Sequence, residues 1–177
     1  MLRALAASCI AATACIPPRQ PVLPADEAAV LADITRLRAA TSSFRVVDSA
    51  VAAGYPRTVA QCLVHEHHGA MGYHHVNRGL MDAKVEIDRP EILLYERLAD
   101  GTYRLNGVEF IVPYARWPRD SAAPELMGRK LMREDNLNFW FIHVWAWNRN
   151  PDGLFANFHP GVHCRGTDRQ VFRPSGG

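Results

Sequence analysis

The sequence predicts an α+β fold in which an N-terminal amphipathic helix packs on an antiparallel β-sheet. Apolar residues recur at helical spacing between residues 25 and 53, and the chain then changes to short strand-like segments separated by turns. Consecutive strand candidates are joined by tight turns, which favours an antiparallel meander over a parallel sheet. A length of 177 residues and a hydrophobic content of 48% suit one globular domain, which we place at residues 25–177.

The charge of the chain is nearly balanced. Twenty basic residues stand against 18 acidic ones, which gives a formal net charge of +2. Nucleic-acid-binding domains usually carry a clear excess of basic residues on one face. We therefore expect no nucleic-acid partner.

Residues 1–14 have the pattern of a secretory signal peptide. One arginine precedes an apolar run, and residues 12–14 (Ala-Thr-Ala) match the small-x-small site of a signal peptidase. The apolar run is shorter than the roughly 20 residues that a membrane span needs. We therefore expect export to the periplasm.

Two interpretations of the mature N-terminus follow from the next residues. Residues 12–15 resemble a bacterial lipobox in which Ala12 replaces the usual leucine, and Cys15 would then be the lipidated first residue. Residues 15–24 contain four prolines, which disfavour helix, so this segment is expected to be an extended tether. The tether suits a lipid anchor, the one membrane contact that we expect, but it equally suits a leader left after soluble export.

The remaining cysteines indicate a disulfide. Cys9 lies in the signal peptide and Cys15 at the start of the tether, which leaves Cys62 and Cys164 inside the domain. Thiols of exported proteins tend to oxidise, so we predict that these two are joined. Closing so long a loop stabilises a fold by about 4–5 kcal/mol in the chain-entropy model. In the alternative, one or both are metal-bound thiolates.

Residues 25–53 predict the N-terminal helix. Residues 41–43 (Thr-Ser-Ser) can divide it, because their hydroxyls bond to nearby backbone groups in competition with the helix. Residues 54–56 (Gly-Tyr-Pro) are expected to end it. The apolar positions that form its expected buried face are Val30, Ile34, Leu37, Phe44, Val47 and Val51.

Four strand candidates follow the helix, and turn signals join three of them. They are residues 72–77, 91–98, 102–105 and 108–112. An Ala-Asp-Gly turn separates the second from the third. Asn-Gly is the strongest short hairpin signal, so Asn106–Gly107 predicts a tight turn between the third and the fourth.

The C-terminal part predicts a short helix and a central strand. Residues 121–132 favour the helix, with Ser121 as its cap and Pro124 in its first turn. Residues 138–147 are the most hydrophobic segment and carry aromatic or apolar residues on both faces, which is typical of a strand in the middle of a sheet. An irregular segment then returns to Cys164.

Histidines are concentrated in two places. Five of the eight lie between residues 65 and 75, and His143 lies within the aromatic segment. Neutral imidazole is the commonest ligand of zinc and copper, so this concentration indicates a metal site. The zinc-protease signature is incomplete, because Gly69 stands where H-E-x-x-H requires its second histidine.

A looser set of residues remains as the candidate site. His74, His143, Glu91 and Glu109 lie in neighbouring strand candidates and can converge on one interior pocket. Buried charges need partners. These four side chains could be paired with a metal ion or with one another. Taken singly, each has a plainer interpretation, in which His143 bonds a core carbonyl and a glutamate faces water. The aromatic residues around His143 either line a ligand pocket or fill the core.

Several short motifs of this chain resemble the pattern of a family of exported bacterial proteins, some of them lipoproteins. The motifs are GAMGYH at residues 69–74, PEILLYE at 90–96, GVEFIV at 107–112 and HVWAW at 143–147, with the two domain cysteines. The resemblance runs from about residue 54 to residue 164. It implies that the four candidate site residues belong to the shared pattern, and that the histidines of residues 65–68 do not. It implies no particular activity or cofactor.

We therefore predict an exported protein that binds a divalent transition metal, zinc or copper, or a small molecule at an interior histidine and glutamate site. One alternative is a metal-dependent hydrolase or oxidoreductase that uses the same site, with Glu91 or Glu109 as general base. A second alternative is a structural envelope protein whose polar cluster only organises the core. The sequence leaves the identity of the metal or ligand and the oligomeric state open.

Overall fold

The computed structural model describes residues 25–56, 61–165 and 168–171. A helical layer and a curled, mostly antiparallel sheet of seven strands form the predicted α+β fold. The predicted signal peptide, the tether and Cys15 lie outside the described residues. Within the described part of the chain, no helix has the length and apolar character that a membrane crossing requires.

The N-terminal helical segment is divided where the sequence predicts. It comprises α1 (Ala25–Thr41), a 3-10 turn (Ser42–Arg45) and α2 (Val47–Ala52). The hydroxyls of Thr41 and Ser42 donate to the Leu37 and Ala39 carbonyls at 2.7 and 2.9 Å. Ser and Thr that bond backward along a helix bend it or weaken it, which explains the break.

The main sheet contains seven strands in the order β7-β8-β4-β3-β2-β1-β9. All neighbours are antiparallel except β1 and β9. A separate two-stranded hairpin is formed by β5 and β6. The strands are β1 (Cys62–His65), β2 (Gly69–Val76), β3 (Ile92–Arg97), β4 (Tyr103–Pro113), β5 (Glu125–Leu126), β6 (Arg129–Lys130), β7 (Met132–Glu134), β8 (Phe139–Val144) and β9 (Arg169–Val171).

The helical segment covers one face of this sheet, which we call the helix-covered face. Arg38 of α1 donates from Nε to the Ala146 carbonyl at 2.6 Å, and Trp147 donates from Nε1 to the Thr41 hydroxyl at 3.0 Å. Of the six predicted apolar helix positions, all but the exposed Val51 pack against the core. The core side chains of this face are Tyr73, Leu93, Tyr95, Val108, Phe110, Val112, Ile142 and Val144, together with Ile34, Leu37 and Ala50 of the helices.

The opposite face, which we call the histidine face, has its own smaller core. The closing segment of the chain reaches it through His159, whose backbone exchanges two hydrogen bonds with Ala70, at 3.2 and 3.0 Å. Val162 of the same segment is buried there. The buried apolar side chains of this face are Ala70, Ile92, Leu94, Ile111, Phe141, Trp145 and Val162.

Asn106 and Gly107 do not form the predicted hairpin turn, because both lie inside the continuous strand β4. Leu94 pairs with Gly107 and Tyr95 with Leu105, so Asn106 is the extra residue of a β-bulge. The Asn106 carbonyl accepts hydrogen bonds from the backbone of residues 147 and 148 at 3.0 and 2.8 Å. The bulge therefore serves as an attachment point for the chain that leaves β8.

The predicted helix at residues 121–132 is also wrong. These residues form the hairpin of β5 and β6, joined by Met127 and Gly128 with φ of 50° and 70°. Two consecutive residues with positive φ make a two-residue hairpin turn, and a helix requires negative φ at both. The aromatic strand β8 also differs from its prediction, since it is shorter, ending at Val144, and lies next to the edge strand β7.

The predicted disulfide is confirmed. Cys62 of β1 is bonded to Cys164 of the closing segment, with 5.5 Å between their Cα atoms. Both thiols are consumed by the bond, which removes the alternative that they bind metal. The bond fixes the closing segment to the sheet, and Cys164 contacts both cores.

Candidate metal centre

Three side chains of three different strands converge on the histidine face. They are His74 of β2, Glu109 of β4 and His143 of β8. Side chains alternate along a strand, and the neighbours on either side of Glu109 and His143 belong to the helix-covered face. All three polar side chains therefore point to the side away from the helices.

Strand register explains how the three side chains meet. Glu109 lies directly opposite His143 across the pair of β4 and β8. His74 lies one strand further away, beyond β3, where it is opposite Leu94. Glu109 is opposite Ile92 on the same strand β3, and the long side chains of His74 and Glu109 meet over β3.

The donor atoms are close to one another without forming normal hydrogen bonds. His74 Nε2 lies 3.5 Å and His143 Nε2 lies 3.7 Å from Glu109 Oε2. One ligand atom from each of the three residues lies within 4.8 Å of the others. Separations near 3.6 Å are too long for strong hydrogen bonds but suit atoms that surround a common ion.

The three residues are deeply buried, and part of their hydrogen-bonding capacity is unused. His74, Glu109 and His143 are 8%, 4% and 1% exposed. Within the described protein, neither ring nitrogen of His143 has a hydrogen-bond partner, and neither has Nδ1 of His74. Buried polar atoms are nearly always paired. An ion held by the two Nε2 atoms, which face Glu109, would account for His143 Nε2, whereas the two Nδ1 atoms need another partner such as water.

The pKa shifts of His74 and Glu109 suit metal binding. Burial lowers the pKa of His74, although the Glu109 carboxylate opposes this effect. Burial by itself would raise the pKa of Glu109, but attraction to His143 and His74 outweighs it and holds the pKa below its ordinary value. A neutral imidazole beside an ionised carboxylate is the form in which both groups bind metals.

Glu91, the fourth predicted site residue, lies outside this group of three. Its buried carboxyl accepts a hydrogen bond from the Ile111 backbone at 3.1 Å. Burial raises its pKa to about 8, and the charges of Asp82 and Glu109 act in the same direction. Glu91 is therefore protonated at neutral pH, and its carboxyl is engaged at the backbone of β4.

Two other histidines have partners that explain them without a metal. His159 Nδ1 accepts a hydrogen bond from the Gly161 backbone at 2.9 Å, so the proton of the neutral ring is on Nε2. Nε2 lies 3.1 Å from the Arg149 carbonyl and donates to it. His65 Nδ1 accepts from the His67 backbone at 3.1 Å, which places the proton of the neutral ring on Nε2. A protonated nitrogen is not a metal ligand, so neither ring is prepared to bind an ion.

The aromatic residues around His143 divide between the core and the surface. Trp145 is buried beside the centre, with its Nε1 bonded to the Ala156 carbonyl at 2.6 Å and its ring centroid 6.4 Å from that of His143. Trp140 instead lines a surface groove of about 780 Å³ with Tyr114 and Trp117. None of the three metal-binding candidates lines that groove.

Comparisons of the chain with family models, curated proteins and solved structures found no match. The resemblance to a family of exported bacterial proteins therefore stays a prediction. What the structure shows is a buried group, His74, Glu109 and His143, that could hold a metal ion.

Proposed function

We propose that this protein binds one divalent transition-metal ion, zinc or copper, through His74, Glu109 and His143. The convergence of three buried ligand groups, one of them a histidine whose Nε2 faces Glu109 without a hydrogen bond, is the observation that carries the proposal. Two imidazoles and one carboxylate form a donor set typical of zinc, copper and iron, and less suited to calcium or magnesium.

The donor atoms lie a little further apart than the ligands of a bound ion. Two ligands bound at about 2.05 Å to a tetrahedral ion lie about 3.3 Å apart. The separations from Glu109 Oε2 are 3.5 Å to His74 and 3.7 Å to His143, so the side chains would have to draw together around zinc or copper. Short hydrogen bonds among these three side chains would instead have supported a cluster that only stabilises the core.

Export to the periplasm is part of the proposal. The signal-like residues 1–14 support it, and so does the bond between Cys62 and Cys164, because disulfides form mainly in oxidising compartments. Mass spectrometry of the native protein should find residues 1–14 removed. A terminal Cys15 with acyl chains would identify a lipoprotein, and a chain with Met1 from the cytoplasm would contradict export.

Metal binding is tested by reconstitution. Protein treated with EDTA and then supplied with zinc should retain about one ion per chain after desalting, as measured by elemental analysis. His74→Ala and His143→Ala should each lose this ion. His67→Ala is the matched control, because His67 is exposed and lies outside the group.

Circular dichroism must show that the two site variants remain folded. Neither substitution touches the disulfide or a strong side-chain hydrogen bond, so we expect the fold to survive. Retention of one zinc ion by folded His143→Ala would contradict the proposal.

A further inference from the structure

The coordination shell of the proposed metal ion is incomplete. Among the described residues, no fourth His, Cys, Asp or Glu joins the group of His74, Glu109 and His143. Structural zinc sites are closed by four protein ligands, whereas zinc sites that act on a ligand use three and keep one position open. The centre is of the second type.

The charge of the metal-loaded centre is also unbalanced. A divalent ion, the Glu109 carboxylate and two neutral imidazoles leave one net positive charge. The three side chains are buried, at 8% exposure or less. An unbalanced charge in such surroundings costs several kcal/mol, so the open position favours a ligand that carries one negative charge.

The walls of the centre limit the size of that ligand. Phe141 and Trp145 lie on either side of His143, with ring centroids 5.5 and 6.4 Å from its own. Ile92 and Leu94 continue the same apolar face. We expect these groups to accommodate a ligand of a few atoms more readily than a bulky one.

We propose, on the basis of the metal-binding function above, that the open position of this centre takes a small monovalent anion, the smallest being hydroxide. Hydroxide arises when a metal-bound water releases one proton to the solvent, with no change in oxidation state. Zinc brings the pKa of such a water to about 7. A bound hydroxide is the nucleophile of metal-assisted hydrolysis and hydration, so the proposal assigns small substrates of these reactions to the site.

Glu91 is the competing source of negative charge. Its carboxyl is buried, and the charge of Glu109 makes a small contribution to its raised pKa. If it ionised and moved to the metal, it would fill the open position and balance the charge. Glu91→Gln removes that charge and keeps an oxygen that can accept from the Ile111 backbone.

Azide binding to cobalt-loaded protein tests the proposal. Cobalt(II) replaces zinc in similar geometry and absorbs visible light, so an added ligand changes its spectrum. We expect azide to give a saturable change with one azide per cobalt ion. Benzoate, which is larger and carries the same charge, should give no change. Glu91→Gln should bind azide within threefold of the wild-type affinity.

Three results would overturn the proposal. A fully cobalt-loaded protein whose spectrum azide leaves unchanged has no open position. Equal responses to azide and benzoate contradict the size limit. Tighter azide binding by tenfold or more in Glu91→Gln shows that Glu91 supplies the charge. Failure of cobalt and zinc to load at all rejects the proposed function itself, which separates the two conclusions.

Discussion

Glu109 and His143 lie directly opposite each other on β4 and β8, with 3.7 Å between Glu109 Oε2 and His143 Nε2. Directly opposite residues of an antiparallel pair have their Cβ atoms about 5 Å apart, so their side chains share one small space. His74 adds a second imidazole from β2, across β3. A register shift of one residue in β8 would turn His143 to the helix-covered face and dismantle the group.

Glu109→Gln should abolish stoichiometric metal binding, because the amide keeps the shape of the carboxylate but loses the charge that both histidines face. Glu91→Gln is the matched control. It makes the same chemical change in another buried glutamate and should keep about one zinc ion per chain. Elemental analysis of both variants after desalting is the measurement, and equal metal content in the two would be evidence against the assigned ligands.

Glu91 should make the metal-free protein less stable as pH rises. Burial raises its pKa from 4.5 to about 8 in the folded chain. The folded chain therefore keeps a proton that the unfolded chain releases, so this contribution is full below pH 4.5 and is lost between pH 4.5 and about 8. Each pKa unit corresponds to about 1.4 kcal/mol, which sets an upper bound of about 5 kcal/mol.

Urea unfolding of EDTA-treated protein across this pH range measures the effect. His74 acts in the opposite sense, because its lowered pKa reduces stability as the pH falls. The difference between wild type and Glu91→Gln isolates Glu91. That difference should grow in favour of the variant as pH rises, and a constant difference would show that Glu91 does not titrate in this range.

Removal of the disulfide should weaken the fold substantially. The bond between Cys62 and Cys164 closes a loop with a sequence separation of 102 residues. In the chain-entropy model such a loop corresponds to about 4–5 kcal/mol in the free energy of unfolding. Denaturant titration of Cys62→Ala/Cys164→Ala is the measurement. A loss well below 1 kcal/mol would show that the closing segment is held in place by its other contacts.

Gly107→Ala should destabilise the protein by about 1–3 kcal/mol, the usual cost of overpacking. A Cβ atom at Gly107 would lie 2.7 Å from the Val144 carbonyl oxygen and 3.2 Å from Trp145 Cα. Both contacts involve backbone, which cannot move aside cheaply. Gly79→Ala is the control, because the nearest atom to its added Cβ belongs to the Asn77 side chain at 3.3 Å. Similar unfolding midpoints for the two variants would contradict the close approach at Gly107.

Sequence patterns alone were sufficient to predict the divided helix, the disulfide and three of the candidate metal ligands. The apolar spacing of residues 25–53 and the hydroxyls after Leu37 predicted the divided helix, because helical periodicity and side-chain bonds to the backbone act within one or two turns. The disulfide followed from having two cysteines in the domain. Three of the four predicted ligands, His74, Glu109 and His143, are in the group that the structure brings together.

Tertiary structure decided the features for which the local signal was ambiguous. Asn106–Gly107 has the sequence of a hairpin turn but forms a bulge, because the chain after β8 bonds to Asn106 and packs on Gly107. The two-residue turn lies instead at Met127–Gly128, within a segment that resembles a helix start. At Asn106–Gly107, long-range contacts outweighed the local preference for a turn.

The composition of the site was likewise settled by packing. The sequence does not distinguish Glu91 from Glu109 as a ligand, since each lies in a predicted strand beside one that carries a histidine. Register and side-chain direction separate them: Glu109 faces His143 across β4 and β8, whereas Glu91 precedes β3 and bonds the Ile111 backbone. These relations involve residues far apart in sequence, so alternation within a single strand permits such a site, and only the pairing of the strands assembles it.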